Sequence, residues 1–539
     1  MLSSRRSVAA NAVQALRAER VVCGPQCRSI SNTLHERGST TDLDNSTNNR
    51  ERIVVLGSGW AGYTLARDLD KSKYQVVVVS PRSYFVFTPL LASTSVGTLE
   101  FRTALEPVRS RRTNVDFFQG WADRVDFSRK TLTVEEAVQN PHQGMSLAGP
   151  RHAQTDTLGE NLTVEKKKGK IFDMQYDKLV IAVGCYSQTF NTPGVREHAY
   201  FLKDVGDARK IRNRLLSCFE KAALPTTSDT MKKQLLNFAV VGGGPTGIEW
   251  SAELHDIIRE DMAKLYPNLM KYYRITVYDV APQVLSMFDD KLAKYAMEHF
   301  KREGIRIRTS HNVKQLRRGL PAKVLETGEV QDDMSCFTLE TEQEGEVGVG
   351  MVVWSTGLMM NPFIAEAFKD PFHLPSQNTE VISNGVKGED WVVQRNAKSG
   401  ALITDDHLRL NLVPQAQENT TGQAVFNDIY ALGDCAMIQD NMLPATAQVA
   451  NQKAKWLAKH INKGDVNSTR FTYKDLGVMA YIGNWNAIMQ SSGSDISGRF
   501  AWFIWRGAYL AKSVSWRNRI LIPMYWFINW IFGRDISRF

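Results

Sequence analysis

The feature that most narrows what this chain can fold into is a glycine turn that occurs twice. Residues 52–69, RIVVLGSGWAGYTLARDL, read as an apolar strand, a tight turn and a helix, with Gly57, Gly59 and Gly62 spaced G-x-G-x-x-G. Gly57 permits the turn, Gly59 lets backbone N–H groups approach a pyrophosphate, and Gly62 lets the helix pack on the strand. YQVVVVS follows as a second buried strand. Residues 235–254, LLNFAVVGGGPTGIEWSAEL, repeat the pattern with Gly242, Gly244 and Gly247, and Pro245 stands at the entry to the helix, where a missing N–H costs little. The spacing alone is a weak signal, but strands on both sides make each copy a Rossmann-type unit. Two units in one chain predict two bound dinucleotides, one a flavin and one a nicotinamide.

The residue ending each second strand separates the two halves. RITVYDV ends in Asp279, which can hold both hydroxyls of an unphosphorylated ribose and would repel a 2′-phosphate, so the second half favours NADH over NADPH. The first half has Ser80 at this point, followed by Pro81 and Arg82. Ribose contact there must be made some other way, and Arg82 is a cofactor-binding candidate.

Other chemistries are disfavoured. Cysteines stand at 23, 27, 185, 218, 336 and 435 with no Cys-x-x-Cys pair, which argues against a redox-active dithiol, a zinc cage and any other metal site. A sulfide:quinone or disulfide reductase needs a cysteine pair beside its flavin and finds no supporting spacing. The net charge of +9 is spread along the chain without a dense basic block, so nucleic acid is a poor partner.

Both ends of the chain carry separate signals. MLSSRRSVAANAVQALRAERVV has Arg5, Arg6, Arg17 and Arg20 against Glu19 and can form a basic amphipathic helix, the physics of a mitochondrial presequence. Residues 1–45 are read as presequence and flexible lead-in. No run approaches the ~20 apolar residues that span a bilayer. From Phe500, five tryptophans (502, 505, 516, 526, 530) alternate with Arg and Lys, and Asp535 is the only acid. That composition suits a segment lying on an anionic lipid surface; the alternatives are a buried helix pair or a dimer interface. Segments 136–170 and 376–425 are polar and read as surface insertions.

The stretches GSGWAG, SPRSYFVFTPLLASTSVGTLE, YDKLVIAVGCYSQTFNTPGV, VVGGGPTGIEWSAEL, WSTG, IYALGDCA and AQVANQ together resemble the two-dinucleotide flavoproteins typified by glutathione reductase. Within that group the chain is similar to the type II (alternative) NADH:ubiquinone oxidoreductases of mitochondria, from about residue 50 to the C-terminus. The resemblance implies an α/β fold with an FAD domain over 46–205 and 360–485, an NADH domain over 206–359, and a membrane-anchoring helical segment over 486–539. It implies non-covalent FAD, with NADH and ubiquinone as substrates and no proton pumping. It further implies a peripheral place on the mitochondrial inner membrane, and a homodimer whose C-terminal helices contact lipid. Gly57, Gly59, Gly62, Arg82, Gly184, Gly433 and Asp434 would hold FAD, and Asp434 would accept from the ribityl hydroxyls. Gly242, Gly244, Gly247, Asp279 and Gly357 would hold NADH, with Glu249 near the nicotinamide and Lys474 near the quinone. An NADH-sensing flavoprotein of slow turnover is the alternative from a different class.

Gln448 and Gln452, in PATAQVANQKAKWL, lie four residues apart and share one face of a helix. A solvated stripe would explain them on this stretch alone. Placed between a flavin-binding ALGD and a membrane-binding tail, they become donors to quinone carbonyls, with Ala447 and Ala450 leaving room for the ring.

Overall fold

The computed structural model describes residues 40–538, apart from 111–112, 139–168, 374–377, 384–389, 416–421 and 492–493. The basic helix expected of the presequence and most of the 136–170 insertion lie outside the described residues.

The first glycine turn belongs to a sheet whose inner strands all run one way. Gln423–Ala431, Lys178–Ile181, Glu51–Leu56, Tyr74–Ser80 and Asp116–Asp126 lie side by side in parallel. Val55 stands opposite Val78 on one side and Val180 on the other. Ile53 through Leu56 are all at 0% exposure. A strand covered on both faces needs an unbroken apolar run, which is what RIVVL and VVVV provide. Parallel strands end at one edge, so the chain passes there into Gly57, Pro81-Arg82, Gly184 and Gly433-Asp434.

A second parallel sheet is built the same way from Tyr200–Phe201, Met351–Trp354, Asn237–Val241, Arg274–Tyr278 and Arg306–Arg308. Its edge carries Gly242, Asp279 and Ser355. The fold is thus the expected pair of Rossmann-type units. Tyr200–Phe201 already belongs to the second sheet, a few residues before the expected boundary at 206. The crossings between units are held as a pair, Cys185–Ser187 antiparallel to Leu358–Met360.

Polar contacts inside apolar surroundings lock the units together. Leu91–Ser95 is a short helix with every residue buried, and it packs on the helix Pro245–Ile257. Trp250, fully buried, donates through Nε1 to Ser95 Oγ at 3.0 Å. Glu253 accepts from Ser93 Oγ at 2.6 Å and Thr98 Oγ1 at 2.8 Å. Burying one large side chain such as Trp250 contributes about 3 kcal/mol, and each satisfied internal hydrogen bond about 1 kcal/mol more.

Three expectations are corrected. Residues 40–45 are docked rather than a loose lead-in: Thr41–Asn45 is a helical turn, Leu43 is buried, and Gln75 Nε2 donates to its carbonyl at 3.0 Å. The described part of the stretch 376–425 is largely sheet, with Trp391, Val393, Leu410 and Leu412 in the core. Its polar residues alternate with these, which hid the strands. Finally, Val478–Gly483 pairs with Asn486–Ser491, which pairs in turn with Ser494–Gly498 in a separate antiparallel sheet, so the C-terminal part begins near 478 rather than 486.

The helices Arg499–Lys512 and Trp516–Phe532 follow that sheet. Trp502, Trp505 and Ile522 face inward and are buried, while Phe503, Phe527 and Phe532 are 66%, 60% and 81% exposed. Side-chain hydrogen bonds fix the inner face. Asn518 Nδ2 donates to Glu106 Oε1 at 2.9 Å, and Arg534 pairs with Glu260 and Asp261 at 2.7 and 2.6 Å. Among the described residues no helix is long and apolar enough to cross a membrane.

Candidate active site

The first sheet edge is a cradle with space reserved in it. Gly57 has φ +107°, and a Cβ there would lie 2.3 Å from the Ala182 carbonyl oxygen; a Cβ on Gly62 would lie 2.0 Å from the Gly57 oxygen. Both glycines are required by protein against protein. Gly59 differs: it has an extended backbone, caps the helix Trp60–Asp68, and a Cβ there would meet nothing within 4 Å. A Cβ on Gly184, which follows a neighbouring strand at the same sheet edge, would likewise meet nothing within 4 Å. A glycine that no protein atom demands, at a helix N-terminus with open space beside it, is what a pyrophosphate's approach requires. The residues therefore fit a dinucleotide.

Ser80, standing where an acid was expected, is buried and cannot reach a ribose. Its hydroxyl meets Ser58 Oγ at 2.9 Å, and Ser58 also donates to the Tyr84 carbonyl at 2.9 Å, which braces the turn. Arg82 pairs with Asp204, which also accepts from Tyr84 Oη at 3.0 Å. Asp204 in turn caps the helix Val205–Ala223. Arg82 is thus tied to the second unit, with about a third of its side chain left open. Gly433 has φ +84° and sits against Ala61. Asp434 Oδ2 accepts from Cys185 Sγ at 3.3 Å, and Lys203 Nζ contacts that sulfur at 2.9 Å. Burial pushes the Cys185 thiol up to about 12, Lys203 opposing, so it stays protonated and is no nucleophile.

The second edge repeats the geometry. Gly242 has φ +112°, a Cβ on Gly247 would lie 2.0 Å from the Gly242 oxygen, and Gly244 meets nothing within 4 Å. Asp279 accepts from the Gly243 and Ala281 N–H groups, so its carboxylate is aimed along the glycine turn. Gly357 has φ +71° and packs on Gln188 and Phe190 at the crossing between units.

The helix Ala447–Lys463 packs on Trp60–Asp68 of the first unit and is capped by Thr446 Oγ1 accepting from Val449 N at 3.3 Å. It runs parallel to Trp60–Asp68: Asn451 Nδ2 donates to Thr64 Oγ1, and a turn or more later Asn462 Nδ2 donates to the Asp68 carbonyl. Both N-termini therefore point to the same end, the first cradle. The two glutamines part company here. Gln448 Nε2 is buried with no hydrogen-bond partner among the described residues. Gln452 is engaged, donating to the Lys474 carbonyl at 2.8 Å and accepting from Lys474 N at 3.0 Å. Lys474 meets the helix through its backbone and its residue is exposed. Ala447 opens the helix next to Gln448.

Glu249, in the second turn of Pro245–Ile257, is buried. Its Oε1 accepts from Tyr481 N at 3.1 Å and Trp505 Nε1 at 3.2 Å, and Tyr509 acts on the same carboxyl. It thereby joins the second unit to the C-terminal sheet and helix. Burial pushes its carboxyl up to about 8. The folded protein then holds a proton that the unfolded chain has lost between about pH 4.5 and 8, so this group makes stability fall as pH rises across that window. Glu249→Gln keeps the oxygen acceptor and removes the titration. The melting temperature of the variant minus that of the parent is expected to rise from pH 5 to 8 and then level off; a difference independent of pH contradicts it. Sequence reasoning did not find Glu253, Tyr481, Trp505 or Tyr509 around this site. The spacing Glu249–Glu253–Asp256 on one helix face was the signal available.

A sequence profile described as pyridine nucleotide-disulphide oxidoreductase matches residues 51–374, and one described as NDH2 C-terminal domain matches residues 476–535. A protein of Dictyostelium discoideum named probable NADH dehydrogenase is 33% identical over 497 residues, covering 91% of each chain. An internal alternative NAD(P)H-ubiquinone oxidoreductase A1, mitochondrial, of Solanum tuberosum is 36% identical over 521 residues, 91% of this chain and 88% of the relative. Among solved structures, NDH2 from Plasmodium falciparum in complex with NADH superposes with a TM-score of 0.70 at 24% identity, over 90% of this chain and 100% of the other.

Proposed function

The chain belongs to the pyridine nucleotide-disulphide oxidoreductase family, in its type II NADH dehydrogenase branch, and from that premise we propose how its residues divide the work. It is an FAD-dependent NADH:ubiquinone oxidoreductase that does not pump protons. Bound FAD would supply the redox chemistry, hydride acceptance from NADH and two-electron delivery to the quinone. One observation carries the residue-level reading: beside the first glycine cradle stands a helix whose first turn holds a buried amide nitrogen with no partner among the described residues.

Gly57, Gly59, Gly62, Gly184, Gly433 and Asp434 hold FAD, with Arg82 fixing the wall of the cleft through Asp204. Gly242, Gly244, Gly247 and Gly357 hold NADH, and Asp279 selects an unphosphorylated ribose. Holding two rings face to face supplies much of the acceleration. Glu249 closes the site against the C-terminal part and, protonated at neutral pH, brings no negative charge near the nicotinamide. Gln448 Nε2 donates to a quinone carbonyl, Ala447 leaves room for the ring, and Gln452 holds the 474 backbone that walls the site. The side chain of Lys474 is then an entrance charge.

The tail lies on lipid. Phe500, Phe503, Phe527, Trp530 and Phe532 form the outer face of helices whose inner face is docked, an arrangement that suits an interface rather than a span. The curated plant relatives are named mitochondrial; we place this chain peripherally on the inner membrane, as a homodimer. Replacing Phe503, Phe527 and Phe532 by serine is expected to weaken partition into anionic vesicles at least 100-fold, since roughly 1.5 kcal/mol is lost per ring; unchanged sedimentation with vesicles contradicts it. In vesicles with a trapped pH dye, NADH is expected to be oxidised by quinone without a pH gradient. Either a gradient or an absence of NADH oxidation overturns the reading.

A further inference from the structure

We propose that Lys453 is a binding residue for an anionic group of FAD, its side chain buried on the inner face of the helix that carries Gln448. The residue lies in the second turn of Ala447–Lys463 and is buried along with Val449, Ala450 and Ala454. It is 2% exposed, yet among the described residues its ammonium has neither a hydrogen bond nor an ion pair. Lysine is almost never this deep without a partner, because an unpaired buried charge is strongly destabilising.

The groups that act on this charge lie at the flavin cradle. They are Cys435 and Asp434, at the end of the strand Gln423–Ala431. The Cys435 thiol is pushed up to about 11 by burial, so it carries no charge at neutral pH. Asp434 forms no ion pair with Lys453 and already accepts from Cys185. Among the described residues Lys453 is thus left without a direct acidic partner, Asp434 acting on it only from a distance. Burial lowers the ammonium to about 8, with Asp434 opposing, so it remains mostly charged near neutrality. FAD brings the missing charge: its pyrophosphate is anionic in both redox states, and reduction adds further negative charge. The sequence could not single out this lysine, since Lys453 and Lys455 stand alike in ANQKAKWL and only Lys455 is exposed.

The inference rests on the FAD reading above, and the experiment separates the two. Lys453→Met and Lys453→Arg are compared with the parent as holoenzyme and after flavin removal. The FAD dissociation constant of Lys453→Met is expected to rise at least tenfold, with Lys453→Arg close to the parent. Thermal melting supplies a readout that a merely structural lysine would not give. Lys453→Met should melt lower than the parent when FAD is bound and higher when it is removed, because the unpaired charge is gone. The flavin midpoint potential tells which anion is held. An unchanged potential with weaker FAD points to the pyrophosphate. A fall of about 30 mV, a tenfold loss of preference for the reduced state in a two-electron couple, points to the charge gained on reduction. If Lys453→Met retains FAD as the parent does, and shifts both melting temperatures alike, the inference is overturned. Should Lys453→Met fail to accumulate, Lys453→Gln is read by the same criteria. A parent protein that holds no FAD overturns the FAD reading and the inference with it.

Discussion

Gln448→Leu is expected to lower kcat/KM for quinone by roughly 10- to 100-fold, the worth of one buried donor, while NADH still reduces the flavin at close to the parent rate. The reason is the asymmetry between the two amides. Gln448 Nε2 is buried and unpartnered among the described residues, so the folded protein carries the cost of an unmade hydrogen bond until an acceptor arrives. A quinone carbonyl is such an acceptor and a leucine offers it nothing. Gln452 is different because its amide is closed in a two-way hydrogen bond with the Lys474 backbone. Gln452→Leu should release residues 472–476, and so raise the quinone KM and lower the melting temperature together. Stopped-flow measurement of each half-reaction distinguishes the two variants. Equal loss of both half-reactions in Gln448→Leu would remove that residue from the quinone site.

The second large effect separates glycines that serve the fold from glycines that serve the ligand. Gly57→Ala is expected to yield no folded flavoprotein. Its φ of +107° is strained for any side chain and its Cβ would overlap the Ala182 carbonyl, a strain of about 3 kcal/mol before any clash is counted, against a total stability of about 5–15 kcal/mol. Gly59→Val should fold, because its backbone is extended and its surroundings are open, and should lose FAD affinity by about 100-fold or more, the equivalent of roughly 3 kcal/mol. Gly244→Val should fold, keep FAD and lose NADH to a similar degree. Circular dichroism reports folding, released flavin fluorescence reports FAD, and NADH titration reports the second cradle. A Gly59→Val protein that retains FAD with parental affinity would mean that the open space at this turn is not the pyrophosphate site.

The same distinction explains what the sequence made legible. Glycine turns and buried parallel strands are local features, and both Rossmann units are written in contiguous runs such as RIVVLGSG and FAVVGGGP. Asp279 was legible because it ends a strand beside its glycine turn. Whatever depends on a distant partner was not. The engagement of Gln452 is decided by a backbone 22 residues away. Arg82 looked like a ligand and is bound to Asp204, 122 residues on. The stretch 376–425 hid strands because its polar residues alternate with Trp391, Leu410 and Leu412, whose burial comes from the far side of the sheet. Lys453 reads as a surface charge until the helix face it occupies is known.

The central claim, that electrons pass from NADH to quinone through a flavin seated in the first cradle, is tested most directly by anaerobic double-mixing stopped flow on the purified holoenzyme. The account predicts that one equivalent of NADH bleaches the visible flavin absorbance and that a short-chain ubiquinone mixed in afterwards restores it, both faster than steady-state turnover. Flavin that bleaches but is not restored by quinone, or NADH oxidation without any bleaching, would contradict it.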